Sequence, residues 1–264
     1  MHRRRASCML HGLCFQFNYF TTIMLLSPTL DPMGQAIWDY ASTGHAGTLR
    51  VLSSMFDDDE IPVATLFRTE LQMPALERVA LNLCSGHVLD VGAGAGCHSL
   101  VLQDRGIEVC SIDISPLSTR ARTLRGVRDA RCTDFWGQEL DGMRFDTIVL
   151  LMNGLGIAGT LDRLPSLLNR CKALLAPGGR VLADSSDLRY VFEDEDGNFD
   201  WDAAEGYYGE VDYQMLYKQC KGQPFDWLYV DFDTLQRTAQ QCGLVARKVA
   251  DGEHYDYLAE LKTL

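Results

Sequence analysis

Apolar and polar residues follow two rhythms along this chain, and the change between them marks its organisation. From Gly34 to Cys84 the spacing is helical: Ala36, Ile37 and Tyr40 share one face, and Leu49, Leu52, Met55 and Phe56 another. The acidic stretch Asp57-Asp58-Asp59-Glu60-Ile61-Pro62 interrupts it and predicts a solvated turn or a helix start, where carboxylates favour a helix N-terminus. Val63 to Leu83 resumes helical spacing, so residues 34–85 are expected to form a helical cap.

At Val88 the rhythm changes to short apolar runs alternating with amphipathic stretches. Strands are expected at Val88–Val91, Ile107–Asp113, Ala130–Thr133, Phe145–Met152 and Arg180–Asp184; Val88–Val91 suits a buried parallel strand, and Phe145–Met152 is apolar enough for burial on both faces. Helices are expected at His98–Arg105 and Pro116–Leu124. A further stripe through Leu161, Leu164, Leu168, Cys171 and Leu175 is stopped by Pro177-Gly178-Gly179. Val211–Tyr217 and Phe225–Val230 read as further strands, and Asp233 as the cap of a helix running to Cys242 and ended by Gly243. Leu244–Val249 and Tyr255–Leu261 flank Asp251-Gly252-Glu253-His254, which predicts a closing hairpin.

The junction between the rhythms is Val88-Leu89-Asp90-Val91-Gly92-Ala93-Gly94-Ala95-Gly96. Glycine is needed where backbone turns tightly or lets a ligand approach, so strand, glycine turn and helix form the nucleotide-binding corner of a doubly wound α/β sheet. A nicotinamide corner wants Gly-x-Gly-x-x-Gly, with pyrophosphate on the helix N-terminus. Here the third glycine comes one position early and residue 97 is Cys. A ligand with an amino-acid head suits that loop better. Asp113, ending the second strand, can accept both ribose hydroxyls. Asp134, after the third, can accept from an adenine amino group, with Ile114 against the ring.

These residues resemble the class I S-adenosylmethionine-dependent methyltransferases over roughly residues 63 to 264. Val88–Gly96 is similar to the family's first motif, Phe145-Asp146 through Asn153 to its fourth, and Leu175-Ala176-Pro177-Gly178-Gly179 to the turn before the fifth strand. The resemblance implies an α/β, Rossmann-like, seven-stranded, mostly parallel sheet with a C-terminal antiparallel hairpin and an N-terminal helical cap. It implies S-adenosyl-L-methionine as cofactor, held by Asp90, Gly92, Ala93, Gly94, Gly96, Asp113, Ile114, Asp134, Phe135 and Met152. Asn153 would orient the acceptor, or simply close the turn before Gly154. The fourth motif reads Leu151-Met152-Asn153-Gly154-Leu155-Gly156, without the Asn/Asp-Pro-Pro-aromatic signature of many enzymes that methylate base or glutamine nitrogens. It is closer to the loops of small-molecule methyltransferases. A nicotinamide-dependent oxidoreductase and a non-catalytic cofactor-binding module on the same fold are the alternative readings.

Methyl transfer from a sulfonium is an in-line displacement whose leaving group needs no protonation. Aligning donor and acceptor in a dry pocket can supply ~7–11 kcal/mol, and a base is required only for a poorly nucleophilic acceptor. His98 is a candidate base or a residue packed near the cofactor. Arg68 is a candidate for the cofactor carboxylate or a surface salt bridge. Asp184-Ser185-Ser186-Asp187 offers substrate contacts or loop capping, and Tyr190, Tyr207, Tyr208 and Tyr213 a pocket lining or packing.

Composition changes this picture in three places. The formal net charge of −12 repels phosphate backbones and disfavours a nucleic-acid partner. Nine cysteines without a Cys-x-x-Cys pair argue for a reducing, cytoplasmic compartment and against a zinc site. Arg3-Arg4-Arg5 and the run Cys8–Leu26 resemble a signal peptide, but His11, Gln16 and Asn18 make it a poor membrane span. Residues 1–33 are therefore expected to be a poorly ordered extension, with Met24 or Met33 as working start. Seven carboxylates between 193 and 205 read as a solvated excursion. The pattern leaves the oligomeric state open.

Overall fold

The short apolar runs at the centre of the chain pair in parallel and are covered on both faces. A computed structural model describes residues 25–193 and 206–264. In chain order its helices are α1 (Pro32–Thr43), α2 (Ala75–Leu83), α3 (Cys97–Asp104), α4 (Pro116–Arg125), α5 (Leu164–Leu174) and α6 (Phe232–Gln241). Its strands are β1 (Leu49–Leu52), β2 (Asp59–Ile61), β3 (His87–Val91), β4 (Glu108–Asp113), β5 (Asp129–Cys132), β6 (Phe145–Leu150), β7 (Leu175–Ser186), β8 (Glu210–Tyr217), β9 (Cys220–Lys221), β10 (Phe225–Leu228), β11 (Leu244–Asp251) and β12 (Asp256–Thr263).

Seven strands form one sheet in the order β11-β12-β7-β6-β3-β4-β5. β3 to β7 run parallel, and β12 and β11 close the edge antiparallel. One face buries Leu89, Ile148, Leu150 and Val181 against Leu164, Leu168 and Cys171 of α5 and Leu235 and Ala239 of α6. The other buries Val88, Val149 and Leu182 against Leu81 and Leu102 of α2 and α3. The chain leaves β3 towards β4 on one side and places β6 on the other. That reversal opens a crevice at the strands' C-terminal ends.

The expected helical cap is corrected. α1 and α2 are helices, but Leu49–Leu52 and Asp59–Ile61 are strands, the first from the supposed second helical face and the second from the supposed acidic turn. They join β8, β9 and β10 in a second, antiparallel sheet with the path β10-β8-β1-β2. The reason is tertiary: Leu49 pairs with Tyr217 and Val51 with Met215, partners far along the chain that helical spacing within 34–85 cannot reveal. The boundary at residue 33 is also corrected. Leu26 N–H donates to Ile114 O at 2.9 Å. Asp31 is buried, accepts from Gly34 N–H to cap α1 and from the Ser115 hydroxyl that caps α4. The folded body therefore begins before Met33. Residues 1–24 and most of the acidic run 193–205 lie outside the described residues. Asp231, not Asp233, caps α6, because its side chain sits where Thr234 N–H can reach it.

Candidate functional site

Three glycines with positive φ turn the backbone at the end of β3: Gly92 (+68°), Gly94 (+51°) and Gly96 (+83°). A Cβ on Gly92 would meet only Ile157 at 3.6 Å, and one on Gly94 only Ile37 and the Gly92 carbonyl near 4 Å. Space is open above the loop. At Gly96 the need is different, since a Cβ there would press on Arg122 Cγ at 3.0 Å and Val127 Cγ2 at 3.1 Å.

Asp113, at the end of β4, holds the loop. Its Oδ2 accepts from Gly94 N–H at 2.8 Å and its Oδ1 from Ser115 N–H at 2.8 Å. Arg122, wholly buried, lies 3.6 Å from Asp113 and donates to Gly94 O at 3.1 Å and Arg131 O at 3.0 Å. Asp90 is buried and accepts from the Ser99 hydroxyl at 2.5 Å, with Ser111 Oγ 2.9 Å behind. It therefore ties β3 to α3. Asp134 follows β5 and accepts from Trp136 N–H at 3.0 Å. Ile114 is half-buried beside Asp113. Phe135 is turned into the core among Leu140, Phe145 and Leu164, and the half-buried ring next to it is Trp136.

β6 ends in two successive non-glycine residues in the left-handed region, Met152 (φ +66°) and Asn153 (φ +56°). Such backbone costs of the order of 1–3 kcal/mol per residue and persists where its surroundings enforce it. Asp184 of β7 does so: its carboxylate accepts from Met152 N–H and Gly154 N–H, each at 3.2 Å. Ser186 donates to Asn153 Oδ1 at 2.9 Å. Burial pushes the Asp184 pKa up to about 6, against the backbone hydrogen bonds that favour its ionised form. Met152 is left exposed at the rim.

Behind this turn is a buried charge cluster with no surface character. Glu77 of α2 pairs with Arg68 at 2.5 Å and with His98 Nε2 at 2.7 Å, and all three are buried. Burial opposes the imidazolium, but hydrogen bonds to Cys97 and Glu77 outweigh it and raise the His98 pKa to about 10. The Glu77 carboxyl is held below its ordinary range: burial opposes this and the two cations prevail. His98 is thus a charged, saturated partner rather than a free base, and Arg68 is committed to Glu77. Asp184 and this cluster carry no periodic signal in the sequence. The sequence singled out Arg68, His98 and the polar Asp184–Asp187 run one by one, but not Glu77 or the contacts that join them.

The antiparallel close beside β7 separates this sheet from dinucleotide-binding folds that share the glycine corner. A family model described as a methyltransferase domain matches residues 66–244, and the chain belongs to the class I S-adenosylmethionine-dependent methyltransferases. Among solved structures it is similar to a SAM-dependent methyltransferase from Bacteroides fragilis in complex with S-adenosyl-L-homocysteine. Identity is 52% over 91% of this chain and 98% of that one, with a TM-score of 0.84. The CcbJ methyltransferase from Streptomyces caelestis shares the fold at 16% identity, over 72% of this chain and 90% of its own, with a TM-score of 0.55. No curated protein matches the sequence.

Proposed function

We propose that this methyltransferase holds S-adenosylmethionine across the C-terminal ends of β3 to β6 and methylates a small-molecule acceptor. The observation that carries the reading is the pairing of an open glycine loop with Asp113, whose carboxylate fixes Gly94 N–H. The residues fit the cofactor: backbone at Gly92 and Gly94 leaves room for it, Ala93 and Gly96 complete the turn, and Asp113 keeps lone pairs for ribose hydroxyls. Asp134 would accept from the adenine amino group beside Ile114, and Phe135 supports that wall from within the core. Asp90 acts through Ser99 and the β3–α3 junction. When bound, the cofactor supplies an electrophilic methyl group on a sulfonium. Met152 borders its approach and Asn153, fixed by Ser186, orients the acceptor.

The domain takes in residues 34–264 and reaches back to residue 25. A cytoplasmic setting is supported by seven described cysteines, all free and six of them buried. The net charge of −12 favours a small acceptor over nucleic acid. No helix among the described residues is long and apolar enough to cross a membrane. Calorimetry with S-adenosylhomocysteine is expected to show one saturable site, weakened at least about tenfold in Asp113→Ala, which loses a charged hydrogen-bonding group. A folded protein without that binding would overturn the reading.

A further inference from the structure

The second sheet is a roof, and its two faces differ in chemistry. The strand registers place Val51, Tyr213, Met215, Phe225 and Trp227 on one face with Asp59 at its edge. Arg50 and Lys221 fall on the other face. The aromatic face looks inward at both ends. Trp227 lies against Gly156, just past Asn153, while Met215 and Tyr217 pack with Ala36 of α1. The neighbouring Ile37 approaches Gly94.

Between these anchors Tyr213 and Tyr229 face each other with hydroxyls 2.9 Å apart. The segment carrying Tyr229 is tied to the donor side, since Val230 N–H donates to Ser185 Oγ at 2.9 Å and Ser186 holds Asn153.

We propose that the acceptor is an amine on an apolar or aromatic body, received between the Tyr213–Tyr229 hydroxyl pair and Asn153; this rests on the donor site proposed above. Three properties of the roof select that class. No lysine or arginine lies on its inner face among the described residues, so a carboxylate or phosphate against the roof would find no counter-charge there. Ring faces and a carboxylate at the edge attract a cationic nitrogen. Burial keeps both phenols protonated well beyond neutral pH, so they donate and accept hydrogen bonds but do not serve as strong bases. An amine attacks through its own lone pair, whereas a hydroxyl would need such a base. The bound ammonium first releases one proton to water. The freed lone pair then forms the nitrogen–methyl bond as the carbon–sulfur bond breaks with its electrons left on sulfur, and the product departs as a methylated ammonium.

The test compares head groups on one body. 2-Phenylethylamine and cyclohexylmethylamine, each with its carboxylate and hydroxyl counterpart, are titrated calorimetrically into protein saturated with S-adenosylhomocysteine. The expected result is amine binding at least about tenfold tighter than either counterpart. Tyr213→Phe and Tyr229→Phe should each weaken it roughly three- to tenfold, with S-adenosylhomocysteine affinity unchanged. Mass spectrometry with S-adenosylmethionine should find methyl on nitrogen. Equal or tighter binding of the acid or alcohol, no amine binding, or indifference to both tyrosine changes would overturn the amine assignment. Failure to bind S-adenosylhomocysteine would instead overturn the donor site.

Discussion

The carboxylate of Asp184, near the end of β7, accepts from the backbone N–H of Met152, beyond the end of β6, at 3.2 Å. Through this bond one strand holds its neighbour's terminal turn in a conformation that Met152 and Asn153 would not choose alone. The pKa of Asp184, raised to about 6 by burial, makes the arrangement measurable. The folded protein keeps this proton between about pH 4 and 6 while the unfolded chain has released it, so stability falls as pH rises through that window. A shift of this size corresponds to about 3 kcal/mol. Asp184→Asn should remove this slope, seen by urea unfolding at about pH 4, 5, 6 and 7; parallel profiles for the two proteins would refute the assignment.

The buried Arg68–Glu77–His98 cluster has the opposite pH signature. The folded-state pKa of His98, about 10, lies above its ordinary value. Its contribution is fully present below about pH 6.5 and is lost as pH rises towards 10. Glu77→Gln strands two buried cations and should destabilise the protein by about 3–5 kcal/mol. It should also flatten the alkaline slope, leaving the part that Cys97 and Asp90 sustain. A variant as stable as the parent in denaturant titration would contradict this account.

Two of the loop glycines should respond differently to the same substitution. Both substitutions strain a positive φ, but Gly96→Ala also presses a methyl group on Arg122 and Val127, whereas Gly94→Ala makes only ordinary contacts near 4 Å. Gly94→Ala should cost about 1 kcal/mol and Gly96→Ala about 2–3 kcal/mol. Thermal melting of the pair settles the order, and a larger loss at Gly94 would count against it.

Gly156 is the seat of Trp227, and a Cβ there would collide with the indole. Gly156→Ala should displace the roof and lower kcat/KM for the acceptor at least about tenfold, with S-adenosylhomocysteine affinity within about twofold. Equal losses in both would place Trp227 in the donor site instead.

The parallel core was legible in the sequence because its central strands, β3 and β6 above all, are apolar runs bounded by glycine, and burial on both faces favours that pattern. The donor corner was legible for a related reason: Gly92, Gly94 and Gly96 must be glycine where φ is positive. The roof was not. Leu49 and Leu52 satisfy helical spacing over four residues as well as they satisfy a strand, and their partners on β8 lie far along the chain. The buried Glu77 gave no hint of its role, because its partners Arg68 and His98 come from other elements. Phe135 looked like a ligand contact from its position after β5, yet its ring belongs to the core.

Donor and acceptor recognition differ in how far the chain must travel to assemble them. Gly94 and Asp113, which shape the donor corner, are 19 residues apart. Gly47 and Tyr217, which seal the roof, are 170 apart. Short loops close first and long ones late. The grip on the methyl source can therefore mature while the chamber for its recipient is still open. Sequence drift in β1, β8 and β10 can re-tailor that chamber without disturbing the corner beneath it.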